Sequence, residues 1–145
     1  MEAFSKSRLR AFAIISLFCF SCHNHSLDKL GKTRAKQILI FSTEYNHVLK
    51  GNDFAVIFQK GFCGACNEES ISKVNELLQE KKLAVFYRDD GLISPILDQF
   101  IIENKSICHP ISIDKFDFYG LNIGQVIVFT LNKGGEISNR KYVGS

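Results

Sequence analysis

No block of basic residues runs through this chain. Its 18 Lys and Arg are scattered among 15 Asp and Glu for a formal charge of +3, so the concentrated positive face of a nucleic-acid binder is missing. Nothing reads as a glycine-rich phosphate loop, and no motif supports a Ser–His–Asp hydrolase. There is no internal repeat and no low-complexity segment. The longest apolar stretch near the amino terminus is about half of the roughly 20 residues that a helix needs to span a bilayer. Tryptophan is absent and there are only 2 prolines. What the chain does have is 46% hydrophobic residues, including 13 Phe, in a length of 145. That suits one domain with a real core and is too short to argue for two.

The amino terminus reads as an address. Lys6, Arg8 and Arg10 precede the apolar stretch Ala11–Phe20, broken only by Ser16, and small and polar residues follow, which is the pattern of an export signal over residues 1–21. Its ending, "LFCFSC", resembles the lipobox of bacterial lipoproteins, with Ser21 as the small residue before a lipidated Cys22; Cys19 stands where such motifs usually carry Leu. Ordinary signal cleavage and an uncleaved anchor are the alternatives, and each exports the domain. Residues 22–36 follow as a tether: "HNHSLDKLGKTRAK" has no sustained apolar period, and a flexible chain of roughly 15 residues reaches about 20 Å. His23 and His25 are read as solvated. Losing residues 1–21 removes Lys6, Arg8, Arg10 and Glu2 and leaves a nearly neutral chain, with the domain over residues 37–145.

Within that domain, "QILIFST" (Gln37–Thr43) and "DFAVIFQ" (Asp53–Gln59) are apolar runs of strand length, linked by the polar "EYNHVLKGN". After Cys66 the period changes. Ile71, Val74, Leu77 and Leu78 recur at helical spacing, with Glu68, Glu69, Lys73, Glu76 and Glu80 on the other face, which predicts a helix from about Cys63 to Lys81. "LAVFYRDDG" (Leu83–Gly91) predicts a strand closed by a turn. "SPILDQFIIEN" (Ser94–Asn104) predicts a helix with a capping Ser and a Pro at its first position. "QVIVFTLNKGGEISNRKYV" reads as a hairpin turning at Asn132–Gly135. The expected order β, β, α, β, α, β, β defines an α/β domain whose mixed sheet joins a parallel β-α-β unit to an antiparallel terminal hairpin.

In this order "CGAC" falls where a central strand ends and a helix begins. Cys63 would then lie at the positive end of the helix, near unpaired backbone N–H groups. Thiolates are the attacking species in disulfide exchange, and a helix amino terminus stabilises one by about 0.3–1 kcal/mol. Lys60 would add to this, and Glu68 and Glu69 would oppose it if close. Two intervening residues on a first helical turn bring the second sulfur within disulfide reach, so Cys66 can attack a mixed disulfide formed on Cys63. Gly64 and Ala65 put no large side chain beside the sulfur and leave room for a partner's backbone.

Strand, "FCGAC", amphipathic helix, strand, helix and hairpin together resemble the thioredoxin-like superfamily, and within it the exported, membrane-tethered bacterial thiol-disulfide oxidoreductases related to those of cytochrome c maturation. The likeness covers roughly Gln37–Val143, is specific over Phe54–Lys82, and includes "NKGGEI" as the turn of the final hairpin. It implies a three-layer fold, Cys63 as nucleophile, Cys66 as resolving cysteine, and Phe62 in the place of an aromatic before the pair. Three features depart from the family pattern. Where a cis-proline precedes the last hairpin, "NIGQVIVF" has Gly124 and Gln125; Gly124 can supply a bend without a ring, and Pro110 could take the part only if "ISID" were the strand. Ile57 occupies the position, six before the first cysteine, of a buried acidic or amide residue. The hairpin ends close to Ser145, so the family's closing helix is expected to be absent and one sheet face thinly covered, unless "DKFDFYGLN" holds a helix.

Other chemistries use the same cysteines. A structural zinc site needs about four ligands, from Cys63, Cys66, Cys108, His109 and His47, without a second C-x-x-C pair. Two thiolates suit a soft ion such as Cu(I), which would make the domain a metal carrier. A static disulfide over so short a loop gains little entropic stabilisation, and a non-catalytic binding module is a further alternative. Cys108 beside His109 is read as a buried structural cysteine, since adjacent strand residues point apart. The expectation is disulfide exchange with protein partners, as a reductant supplied by an upstream dithiol protein, with no organic cofactor and no nucleic acid. Phe62, Gly64, Ala65, Gly124 and Gln125 would meet the substrate.

Overall fold

In the computed structural model the described residues are 32–59, 64–89, 94–122 and 126–143, with backbone alone for 64–67. The chain divides into Met1–Lys36 and Gln37–Ser145. Of the first unit, residues 32–36 are described and are helical; they end the stretch read as a tether.

Among the described residues the second unit contains five helices, α1 (residues 37–44), α2 (Asn46–Leu49), α3 (Gly64–Glu80), α4 (Pro95–Glu103) and α5 (Ile113–Phe118), and five strands. The strands are β1 (Phe54–Phe58), β2 (Leu83–Asp89), β3 (Cys108–Ser112), β4 (Val126–Leu131) and β5 (Ile137–Val143), in the sheet order β3-β2-β1-β4-β5. β1, β2 and β3 are parallel; β4 runs antiparallel to β1 and β5 antiparallel to β4. This is the expected α/β class with a mixed sheet, in which β1-α3-β2 is the parallel unit and β4-β5 the antiparallel terminal hairpin.

Alternation along the strands sorts the core into two layers. Ala55 and Ile57, Ala84 and Phe86, Ile111, Ile127 and Phe129 face one way and meet Phe41, Leu49, Phe116, Tyr119 and Leu121. Val56 and Phe58, Leu83 and Val85, Cys108, Val126 and Val128 face the other and meet Ile71 and Val74 of α3 and Leu97 and Phe100 of α4. Burial on both faces explains why β1 and β2 read as unbroken apolar runs and do not alternate with polar residues.

Two expectations are corrected here. "QILIFST" is helical. As a helix it sets Phe41 fully into the core, edge-on to Phe86 at 5.2 Å and to Tyr119 at 5.5 Å, while Leu39 stays 65% exposed. The same stripe continues through Tyr45 and Val48 to buried Leu49, so the polar-looking link also contains a helix. The sheet edge is instead taken by "CHPIS", where Pro110 pairs across from Tyr87; an edge strand tolerates the missing N–H. Second, the sheet face expected to be thinly covered is lined by α1, α2 and α5, the last being the helix within "DKFDFYGLN".

Local signals account for the remaining elements. Ser94 Oγ accepts from Leu97 N at 3.3 Å and Pro95 opens α4. At the hairpin, Asn132 Oδ1 accepts from Gly134 N and from Glu136 N, each at 2.9 Å, as turn-forming Asn residues do.

Candidate active site

β1 is the middle strand of the sheet, flanked by β2 and β4. Its carboxyl end lies beside the start of β4, since the register runs Phe54↔Thr130 to Ile57↔Ile127. The carboxyl ends of β2 and β3 share that side of the sheet because the three strands are parallel. Ligand sites of open α/β sheets gather at this side, outside the strand ends where the direction of connection changes.

The chain leaves β1 at Phe58, which is fully buried, and Gln59, which is 2% exposed. Gln59 Nε2 donates to the backbone carbonyl of Leu121, five residues before β4. An amide is thus buried at the end of a hydrophobic strand with an acceptor supplied from 62 residues away. It fastens the segment that enters β4 to the segment that leaves β1. Sequence reading passed over Gln59 because its partner is distant in the chain; its place at the end of the run "AVIF" was the available signal.

Helix α3 begins at Gly64, which sets Gly64, Ala65 and Cys66 in its first turn, where backbone N–H groups have no intrahelical acceptors. Cys63 and Phe62 lie outside the described residues, as do Gly124, Gln125 and Cys22. Glu69 is turned along the helix to Lys73, 2.6 Å away on the exposed face, and this ion pair lowers its carboxyl below the ordinary range. Glu68 is also exposed.

Ile57 faces the layer of α1, α2 and α5, away from α3. Buried polar side chains among the described residues are Ser42, Gln59 and Ser70. Ser70 stands on α3 itself, 1% exposed, and its hydroxyl has no hydrogen-bond partner.

Cys108 and His109 separate as adjacent strand residues do. Cys108 enters the layer of α3 and α4, where burial pushes its thiol up to about 11, while His109 packs on the Phe86 ring at 5.5 Å in the opposite layer. Burial, with His47 nearby, lowers the His109 pKa. Cys108 pairs with Val85, which pairs with Val56, so it lies level with a point two residues before the carboxyl end of β1, about 7 Å along the strand. Cys108 and His109 therefore do not converge on one ion. Among the described residues no three His, Cys, Asp or Glu side chains are grouped as metal ligands.

No protein-family model matches the chain, and no curated protein does. Among solved structures it is similar to a thiol:disulfide interchange protein from Bacteroides sp., at 14% identity and a TM-score of 0.43 over 68% of this chain and 69% of that one. It is also similar to a peroxiredoxin-like protein from Aquifex aeolicus, at 17% identity and a TM-score of 0.40 over 66% of this chain and 63% of that one.

Proposed function

We propose that this protein exchanges disulfides with protein partners through Cys63 and Cys66, as a reductant held at the periplasmic side of a bacterial membrane by lipid on Cys22. The observation that supports this most is the position of "CGAC" across the start of α3, at the carboxyl end of the central strand. First-turn amides favour a thiolate there. Cys63 thiolate attacks one sulfur of a partner's disulfide; a Cys63–partner S–S bond forms, and the partner's other sulfur leaves with the electron pair and takes up a proton. Cys66, deprotonated, then attacks Cys63 sulfur, forming Cys63–Cys66 and releasing the partner's second thiolate. Two electrons have passed to the partner, and an upstream dithiol protein restores the pair. Gly64 and Ala65 bring no large side chain to the motif, and we assign Phe62, Gly124 and Gln125 to contact with the partner.

The test is the reduction potential of the full-length protein in detergent, equilibrated against glutathione after chelation of metal. A reversible two-electron transition that disappears in both Cys63→Ser and Cys66→Ser is expected, and its value gives the direction of electron flow. No reversible transition, or one blocked by a stoichiometric bound metal, overturns the reading. Membrane association that persists unchanged in Cys22→Ser would overturn the lipid anchor.

A further inference from the structure

The sheet ends in two edge strands that differ in what they can accept. β3 carries Pro110, whose missing N–H interrupts an edge ladder. β5 holds no proline, and from Asn139 to Val143 it pairs with β4 in unbroken register. It is last in the sheet, with no strand on its outer side among the described residues, so every second residue turns its N–H and C=O outward. Residues 138–142 are exposed.

The charge on this edge has one sign. Arg140 stands opposite Phe129 and Lys141 opposite Val128. Phe129 belongs to the layer of α1, α2 and α5, and Val128 to that of α3 and α4, so the strand carries a cation on each face. Neither cation is in an ion pair among the described residues. Arg140 rests over the Tyr142 ring, 5.2 Å from its centroid. The carboxylate of the hairpin, Glu136, is engaged by Asn132 Nδ2 at 2.7 Å. The edge is therefore open along its backbone and positive on both sides.

These features select among occupants. A membrane surface is planar and could meet one face of the strand but not both. A second copy would bring its own Arg140 and Lys141 to the edge and oppose like charges, which destabilises a strand pair. An extended acidic segment laid beside β5 would satisfy the outward backbone groups and set carboxylates across from both cations. We infer that the outer edge of β5 is a docking site for an acidic, extended segment of a partner protein, which joins the sheet as a further strand. Val143 pairs with Val126 at the start of β4, so the edge leads a partner's chain toward the end of the sheet where β1 terminates. The inference stands on this edge and does not depend on the cysteine pair.

The probe is a fluorescein-labelled peptide, Thr-Val-Glu-Glu-Val-Thr-Val, added to the full-length protein in detergent. Binding is read by fluorescence anisotropy, and protection of residues 137–143 by hydrogen exchange with mass spectrometry. Saturable binding should slow the outward amides of β5 by about tenfold or more. Arg140→Glu combined with Lys141→Glu should weaken binding by about tenfold. That variant should in turn bind the peptide with Lys in place of Glu, which also shows that it folds. A peptide N-methylated at every internal residue keeps its charges but loses its donors, and should not bind the wild-type protein. Equal binding of the methylated peptide, or no binding of the parent peptide at millimolar concentration, would overturn the inference. So would an edge already protected in dilute protein alone, which would assign it to cover by the chain itself. Protection that grows with protein concentration would assign it to a second copy, and protection by phosphatidylglycerol in the micelles without peptide binding would assign it to a membrane; either overturns the inference. Absence of a reversible potential, which defeats the exchange reading, would leave these results unchanged.

Discussion

Gly135→Ala and Gly51→Ala form a matched pair that measures one contact. Both glycines have the same left-handed backbone, φ +84° and +85°, so alanine incurs the same conformational cost at each, about 1–2 kcal/mol, offset by about 0.4–1 kcal/mol from a stiffer unfolded chain. Their surroundings differ. A Cβ at Gly51 meets nothing within 4 Å, whereas at Gly135 it would stand 2.8 Å from Lys50 N and 3.1 Å from Leu49 C and Lys50 Cα. Those neighbours are backbone at the end of α2, where Lys50 N bonds Asn46 O at 2.9 Å and Leu49 is fully buried. They cannot withdraw unless α2 leaves the hairpin turn, which would also strain the bond from Asn46 Nδ2 to Gly134 O at 3.0 Å. Overpacking of this kind costs about 1–3 kcal/mol. Gly135→Ala should therefore be less stable than Gly51→Ala by about 2 kcal/mol, which at a urea slope of about 1–3 kcal/mol/M separates their midpoints by roughly 1 M. Equal midpoints would refute the packing of α2 against the turn.

Three further outcomes follow from the described side chains. Glu44 accepts hydrogen bonds from Lys115 and Tyr119, which hold its carboxyl below the ordinary 4.5; a depressed folded pKa gives stability above the unfolded value that is lost as pH falls through the folded one. The urea midpoints of wild type and Glu44→Gln should thus differ at neutral pH and converge below the carboxylate range, and a pH-independent gap would contradict this. Cys108, with its thiol pushed up to about 11 by burial, should resist iodoacetamide in the native protein at pH 8 and react fully in urea; native reaction at the unfolded rate would contradict its burial. Gln59→Leu removes the donor to Leu121 O and should cost about 1–3 kcal/mol, a loss that an unchanged urea midpoint would disprove.

Much of the fold was legible because its signals are local. α3 declares itself through Ile71, Val74, Leu77 and Leu78, and α4 through Ser94 and Pro95. The misreadings lie where local signals compete. "ILIF" is too short for its period to separate a strand from a buried helix turn; the deciding feature is the stripe Ile38, Phe41, Tyr45 and Leu49, which outlasts the run and ends in the core. No strand was expected at "CHPIS"; at the sheet edge the missing N–H of Pro110 is tolerated and the strand forms. α5, six residues long, is too short to show a full amphipathic repeat.

The candidate site was legible only in part, and for a different reason. "CGAC" is a local motif whose position at a strand-to-helix junction could be read directly from the apolar runs on either side. What supports it is not local. Gln59 extends the alternation of Ala55 and Ile57, so its burial could be foreseen, but its acceptor, Leu121 O, could not. That bond joins the flanks of the two segments on which the expected site residues fall, Cys63–Cys66 after β1 and Gly124–Gln125 before β4. One buried amide at the end of the central strand therefore ties the residue that follows β1 to Leu121, five residues before β4, a link between segments 62 residues apart that no local motif announces.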